Sequence, residues 1–134
     1  MTGLHHKEIS QCALVALDFE TTGLHPEKGD RVIEVAVVRR ELDGSYLKWS
    51  SLINPNKPIR AKSTRIHGIT DSDVENAPVF DDILPKLLSM INDAILIGHN
   101  IAFDVRCLVS EMSILDKSVP ELGPQMDTLL MARH

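Results

Sequence analysis

The 134 residues suit one domain, and a hydrophobic content of 43% excludes a disordered chain. The formal net charge of −5 argues against a protein that holds nucleic acid through a basic surface alone, although divalent cations could offset its acidic groups. The sequence has no apolar stretch near the roughly 20 residues of a membrane span and no apolar signal-peptide core, which predicts a cytoplasmic protein.

The first half of the chain predicts three strands. Residues 13–19 form a continuous apolar run, which is typical of a buried central strand. The next two segments are rich in Val, Ile or aromatic residues and are joined by Asp43 and Gly44, a strong hairpin signal. These two strands are expected at residues 31–42 and 45–53.

The second half predicts helices and two further strands. Thr70 and Asp73 have the spacing of a capping box at the start of a short helix. Residues 79–91 carry apolar side chains at helical spacing, and Pro85 either kinks this helix or divides it into two. The later predicted elements are a strand, a helix and a short strand, at residues 94–100, 101–115 and near 125–126.

This order of elements predicts a single α/β domain, residues 1–134, with a mixed β-sheet flanked by helices. Residues 1–12 are expected to form a flexible N-terminal end. Cys12 and Cys107 lie among apolar residues and have no metal-binding spacing, so both are expected to be buried, reduced thiols.

Two acidic residues stand at the end of the first strand, in the segment DFETTG at residues 18–23. Alternate residues of a strand share one face, so Asp18 and Glu20 should project together near its carboxyl end, where open α/β sheets bind ligands. A shared Mg²⁺ or Mn²⁺ ion would relieve their repulsion, because hard cations prefer oxygen ligands. The alternative is a strand that has emerged into solvent with both acids hydrated.

The segment GHNIAFD, residues 98–104, also follows an apolar strand and opens a helix. Asn100 could cap this helix through its side chain, and Asp104 falls in the first turn, where the helix dipole favours an acid. His99 and Phe103 also have structural explanations, as a polar strand end and a core residue. Both acidic segments nevertheless lie at the carboxyl ends of strands.

Asp18, Glu20 and Asp104 are therefore expected to form a three-carboxylate cage for a divalent cation. DFETTG together with HNIAFD resembles the DnaQ-like 3′→5′ exonucleases of the DEDDh group. IHGIT at residues 66–70 and MDTLLMAR at residues 126–133 are similar to two further segments of that family, in the same order.

The resemblance implies a ribonuclease H-like fold and two Mg²⁺ or Mn²⁺ ions on the three carboxylates. It implies release of nucleoside 5′-monophosphates from the single-stranded 3′ end of DNA or RNA, in proofreading or other processing, with a DNA polymerase catalytic subunit as a candidate partner. The residues that it places around the terminal nucleotide are Phe19, Thr21, Thr22, Gly23, His67, His99, Asn100 and Phe103.

A group of basic residues close to His67 could guide such a strand, and a solvated loop explains them equally well. They are Lys57, Arg60, Lys62 and Arg65.

The family also has a third motif, H-x-x-x-x-D, which supplies a general-base histidine and a fourth carboxylate. No such motif follows Asp104. His134 is not expected to replace that histidine, and Asp127 beside Thr128 is better explained as the start of a helix. The domain is therefore expected to be incomplete at its C-terminus, nearly inactive alone, and prone to dimerise through an uncovered apolar face.

An alternative is a catalytically incomplete module of the same fold that binds nucleic acid or a polymerase. An unrelated acidic α/β domain would require two specific motifs to coincide by chance.

Overall fold

The computed structural model describes residues 12–128, whose five strands form one mixed sheet in the order β3-β2-β1-β4-β5. The central strand β1 pairs antiparallel with β2 and parallel with β4. The strands are β1 (Ala13–Thr21), β2 (Val32–Arg40), β3 (Tyr46–Leu52), β4 (Ala94–Gly98) and β5 (Gln125–Asp127). The predicted mixed sheet is confirmed, and each predicted strand end lies within about two residues of the observed one.

Helices flank this sheet in the arrangement of the ribonuclease H-like fold. They are α1 (Ala61–His67), α2 (Asp71–Val74), α3 (Phe80–Ile91) and α4 (Ile101–Ile114), with one 3₁₀ turn at Pro26–Lys28. The predicted capping box of α2 is confirmed, because Thr70 Oγ1 accepts from the Asp73 backbone N–H and Asp73 accepts from Thr70. Pro85 lies inside α3, which is one helix, so the alternative of two helices is wrong.

The sequence patterns do not predict helix α1, for a physical reason. It buries no side chain and has no acid in its first turn, so neither apolar periodicity nor a capping signal marks it. Its one clear signal is Gly68, which ends the helix with a φ of 79° and donates its N–H to Thr64. A residue with a side chain rarely adopts that conformation, which explains the glycine.

The core lies between one face of the sheet and helices α3 and α4. Val15, Leu17 and Phe19 of β1 point into it and are buried. The residues that alternate with them face the other side, where Asp18 is exposed. The alternation of β1 therefore separates its acidic side chains from the core.

Cys12 and Cys107 are buried and are not joined in a disulfide, as predicted. Burial raises the pKa of the Cys107 thiol to about 12. The remainder of the predicted flexible end, the helix predicted beyond Thr128 and the residue His134 lie outside the described residues. Within residues 12–128, no helix is both long enough and apolar enough to cross a membrane.

Candidate active site

The carboxyl end of β1 carries two acids on one face, as predicted. Glu20 lies directly opposite Glu34 of β2, so a third carboxylate stands beside the pair. Burial raises the pKa of Glu20, the neighbouring Asp18 and Glu34 raise it further, and His67 partly opposes the shift. Burial also raises the pKa of Asp18, with His99 acting in the opposite direction. Both shifts disfavour the charged forms, although the Asp18 side chain is exposed and that of Glu20 is only partly buried.

Asp104 joins this group from the first turn of α4. Its side chain is only 2% exposed, and its Oδ1 accepts a hydrogen bond from the Phe19 backbone N–H at 3.0 Å. Burial raises the pKa of Asp104 to about 7, and the charges of Asp18 and Glu20 contribute to the rise, whereas the Phe19 bond lowers it. The three predicted carboxylates are therefore electrostatic neighbours.

The chemistry of these donors fits a hard divalent cation, because all three offer carboxylate oxygens. Their arrangement is not a ready-made cage: in residues 12–128, no group of three or more Asp, Glu, His or Cys side chains is placed to hold a metal ion. Asp104 Oδ1 is already engaged by Phe19. An ion bound to all three would therefore require side-chain rotation, and the cage remains a prediction.

A pocket of about 410 Å³ lies beside the acids, between the end of β1 and helix α1. Leu24 and Ile66 line it and leave most of their apolar surface exposed. Five residues predicted to surround a terminal nucleotide also line it, together with the predicted metal ligand Glu20. The five are Phe19, Thr21, Gly23, His67 and Phe103. The volume and mixed lining suit a small ligand with apolar and polar parts.

The other predicted site residues do not line this pocket. Asp18, His99 and Asn100 are exposed at the ends of strands β1 and β4. Thr22 is buried, and its hydroxyl donates to Asp30 at 2.9 Å and accepts from the Arg31 backbone N–H at 3.0 Å. The Thr22 side chain therefore holds the segment in place, and any ligand contact from it stays a prediction.

The predicted side-chain cap by Asn100 is wrong. Asn100 occupies the position before α4, but its φ of 67° is left-handed and its side chain makes no capping bond. Its backbone N–H donates instead to Asp127 Oδ1 at 2.9 Å. Asp127, predicted to begin a helix beside Thr128, is the last residue of β5 and directly precedes the helical residue Thr128. Through the bond from Asn100 it also ties β5 to the start of α4.

His67 lines the pocket and has one ring nitrogen that is buried away from it. Its Nδ1 accepts from the Ile69 backbone N–H at 3.1 Å, so the neutral ring carries its proton on Nε2. Nε2 is buried and has no hydrogen-bond partner among the described residues. An unpaired buried donor is costly, so a movement that let this atom meet an acceptor would be favourable. The ligand contact predicted for His67 stays a prediction.

Asp30 is a functional residue that the sequence reading missed. Its buried carboxylate accepts from the Thr22 hydroxyl, from the His25 backbone N–H and from Arg60, at 2.9–3.0 Å. Ser63 of α1 donates to the Thr22 carbonyl at 2.7 Å. Burial alone would raise the pKa of Asp30, but these donors hold it below its usual value. The network fastens the residues after β1 to helix α1, which carries His67.

Gly23→Ala is expected to destabilise the protein by about 1–3 kcal/mol and to weaken ligand binding in the pocket. A methyl group on Gly23 would overlap the Arg60 guanidinium and the Asp30 carboxylate. Arg60 can move, but Asp30 is held by several bonds. Urea unfolding measures the loss of stability. The control variant is Ala16→Ser, on the exposed surface of β1. Gly44→Ala is unsuitable as a control because the backbone φ of Gly44 is positive, which strains any other residue. An unchanged midpoint for Gly23→Ala would contradict the tight fit.

Comparison with known proteins agrees with this geometry. The RNase_T family, described as exonucleases, matches residues 15–134. The DNA polymerase III subunit epsilon of Rickettsia conorii is 38% identical over 125 residues, which are 89% of this chain and 54% of that protein. An epsilon-like protein of Rhodobacter capsulatus is 32% identical, over 98% of this chain and 19% of its own length. The chain thus spans about half the length of the epsilon subunits that it matches.

Solved structures show the same fold. Exonuclease X in complex with 5′ overhanging duplex DNA has a TM-score of 0.66 at 29% identity and covers 90% of this chain and 62% of its own. Escherichia coli Exonuclease I in complex with a dA16 oligonucleotide has a TM-score of 0.78 at 18% identity, over 92% of this chain and 29% of its own, which supports the fold alone. The match over residues 15–134 shows that the chain belongs to the RNase_T exonuclease family, within the DnaQ-like group that its motifs resemble.

Proposed function

We propose that the protein hydrolyses the terminal phosphodiester bond at the 3′ end of single-stranded DNA or RNA and releases nucleoside 5′-monophosphates. The observation that carries this proposal is the coupling of Asp18, Glu20 and Asp104 beside a pocket with space for a nucleotide. Membership of an exonuclease family supports hydrolysis from an end. The 5′ overhanging duplex DNA held by Exonuclease X supports a DNA strand with a free end as substrate.

The three carboxylates would hold two Mg²⁺ or Mn²⁺ ions. Such ions, when bound, stabilise the attacking and leaving oxygens and lower the pKa of the attacking water. The remaining work falls to the pocket, which orients the terminal nucleotide. Leu24, Ile66 and Phe103 offer apolar surface to a base, and His67 lines the same pocket.

The test is hydrolysis of 5′-labelled single-stranded DNA and RNA by the full-length protein in Mg²⁺ or Mn²⁺. We expect a ladder that shortens from the 3′ end, and its loss with EDTA. Asp18→Asn should slow the reaction by about 10³-fold, or ~4 kcal/mol of barrier. Lys86→Gln, on exposed α3 surface, is the control variant. Cleavage within the strand, or full activity of Asp18→Asn, would refute the proposal.

The same assay separates the enzyme from a binding module. Binding of the strand without any hydrolysis by the full-length protein would favour the module. The 134-residue chain alone should hydrolyse slowly, because no H-x-x-x-x-D motif follows Asp104 in it. Equal rates of hydrolysis by the 134-residue chain and the full-length protein would contradict that expectation.

We further propose a cytoplasmic role beside a DNA polymerase, in proofreading. The support is the name of the relatives, which are subunits of DNA polymerase III. Co-purification of the full-length protein with a polymerase catalytic subunit tests it. Homodimerisation of the 134-residue chain stays a prediction that light scattering can test.

A further inference from the structure

The pocket has charges of opposite sign on its two sides. Glu20 lies on the side of β1, whereas Arg60 and Lys62 line the side of α1. The chain as a whole is acidic, with a net charge of −5, so this pair of cations is not the product of a generally basic surface. This separation of charge suits an anionic ligand. One part of it would bind divalent cations held by the acids, and another negatively charged part would lie beside α1.

Arg60 is anchored through one nitrogen of its guanidinium. Its Nη2 donates to Asp30 Oδ1 at 3.0 Å and contacts the Thr22 carbonyl at 3.3 Å. The side chain is nevertheless 67% exposed, and its Nε and Nη1 have no partner among the described residues. A guanidinium anchored through one nitrogen keeps its other donors available in one plane, which suits the oxygens of a phosphate.

Lys62 has no structural explanation of its own. It is exposed, and it makes no ion pair or hydrogen bond with any residue in the described part of the chain. Cations near the start of a helix oppose its dipole, yet Arg60 directly precedes α1, Lys62 is its second residue, and its first turn has no acid. The positive charges of Arg60 and Lys62 therefore slightly destabilise α1 at the edge of the pocket.

We propose that Arg60 and Lys62 form a binding site for internucleotide phosphates of the strand whose 3′ end enters the pocket. This inference rests on the proposed function, since it names the part of the substrate that α1 holds. Asp30 is a positioning residue in this site, because it orients Arg60 and does not face the ligand. The site gives an acidic domain a local means of holding a polyanion.

The test measures binding of a single-stranded oligothymidylate at several salt concentrations by fluorescence anisotropy. Full-length protein with Asp18→Asn is used, so that hydrolysis does not consume the strand. Arg60→Gln and Lys62→Gln should each lower the magnitude of the slope of log K against log salt by about 0.7. Arg60→Lys keeps the positive charge and should keep the slope. Lys86→Gln, which lies on α3 away from the pocket, should leave it unchanged.

A second arm replaces single phosphates near the 3′ end with neutral methylphosphonates. If Arg60 or Lys62 contacts a given phosphate, the variant and the neutral linkage should weaken binding by less together than the sum of their separate effects. Unchanged slopes and additive effects, in a protein whose unsubstituted form binds and hydrolyses the strand, would overturn this site and leave the proposed function intact. Failure of the unsubstituted protein to bind or hydrolyse any strand would refute both.

Discussion

Asp104→Asn should abolish hydrolysis and, at the same time, make the metal-free protein more stable at neutral pH. The carboxylate would be a metal ligand, so its loss should slow hydrolysis by about 10³-fold or more. The amide oxygen of Asn can still accept from the Phe19 backbone N–H, so the local fold is retained. The buried charge, however, is gone.

The gain in stability follows from the pKa of Asp104. Its ordinary value of 3.8 is raised in the folded protein to about 7, mainly by burial. Between these two values the folded state binds more protons than the unfolded state, so the free energy of unfolding falls as the pH rises from about 4 to 7. Asn does not titrate, and the variant should lose this part of the pH dependence.

Urea unfolding in EDTA at pH 5 and pH 7.5 measures the effect. The difference in stability between Asp104→Asn and the unsubstituted protein should be larger at pH 7.5. Asp18→Asn is the matched control, because Asp18 is exposed and its removal should give a smaller gain. Equal stability of the Asp104 variant and the unsubstituted protein at both pH values would show that the buried carboxylate carries no such cost.

Local patterns predicted most of the fold. The apolar runs of β1 and β4 and the Asp43–Gly44 hairpin are short-range signals, and the structure confirms the elements that they mark. The acids of DFETTG and HNIAFD were placed at strand ends by the same reasoning. Helix α1 gave no such signal, because it contributes no residue to the core. Its position is set by contacts, not by its own sequence pattern.

The hydrogen bonds that support the site could not be predicted from local sequence patterns. Asp30 lies in a turn, and only the fold shows that it joins Thr22 to Arg60, which lies 30 residues beyond Asp30 in the sequence. The donor on His67 Nε2 likewise depends on which atom Ile69 contacts. Sequence patterns can identify chemically capable side chains, but the partners that orient them are chosen by tertiary packing.

Arg31→Met is expected to cause the largest loss of stability, about 3–5 kcal/mol, because it leaves the buried carboxylate of Glu111 without its ion-pair partner. Arg31 donates through Nε and Nη2 to the two carboxylate oxygens of Glu111, at 2.9 and 2.8 Å. The hydrogen bonds that Arg31 donates to Glu111 are the main reason that the pKa of Arg31 lies above its ordinary value. Without Arg31, Glu111 keeps only the Val32 backbone N–H among its described donors.

Substitution of Arg31 and substitution of Glu111 should not destabilise the protein equally. The Glu111 side chain is 2% exposed and that of Arg31 is 20% exposed, so an unpaired Arg31 can turn toward water whereas an unpaired Glu111 cannot. Glu111→Gln also keeps an acceptor for Val32, and we expect it to cost only about 1–3 kcal/mol. The double variant Arg31→Met/Glu111→Leu should recover much of the loss. Urea unfolding measures all three, and equal costs for the two single variants would contradict the asymmetry.

This ion pair also bears on the site, since each partner belongs to a segment that carries functional groups. Glu111 lies two turns beyond Asp104 on the buried side of α4, and the Arg31 backbone N–H donates to Thr22 behind the pocket. The pair therefore fixes the position of Asp104 relative to the residues after β1. We expect Glu111→Gln to lower kcat at temperatures where the variant is fully folded, because a small displacement of a ligand group slows catalysis. An unchanged kcat in the folded variant would show that the ion pair supports the fold alone.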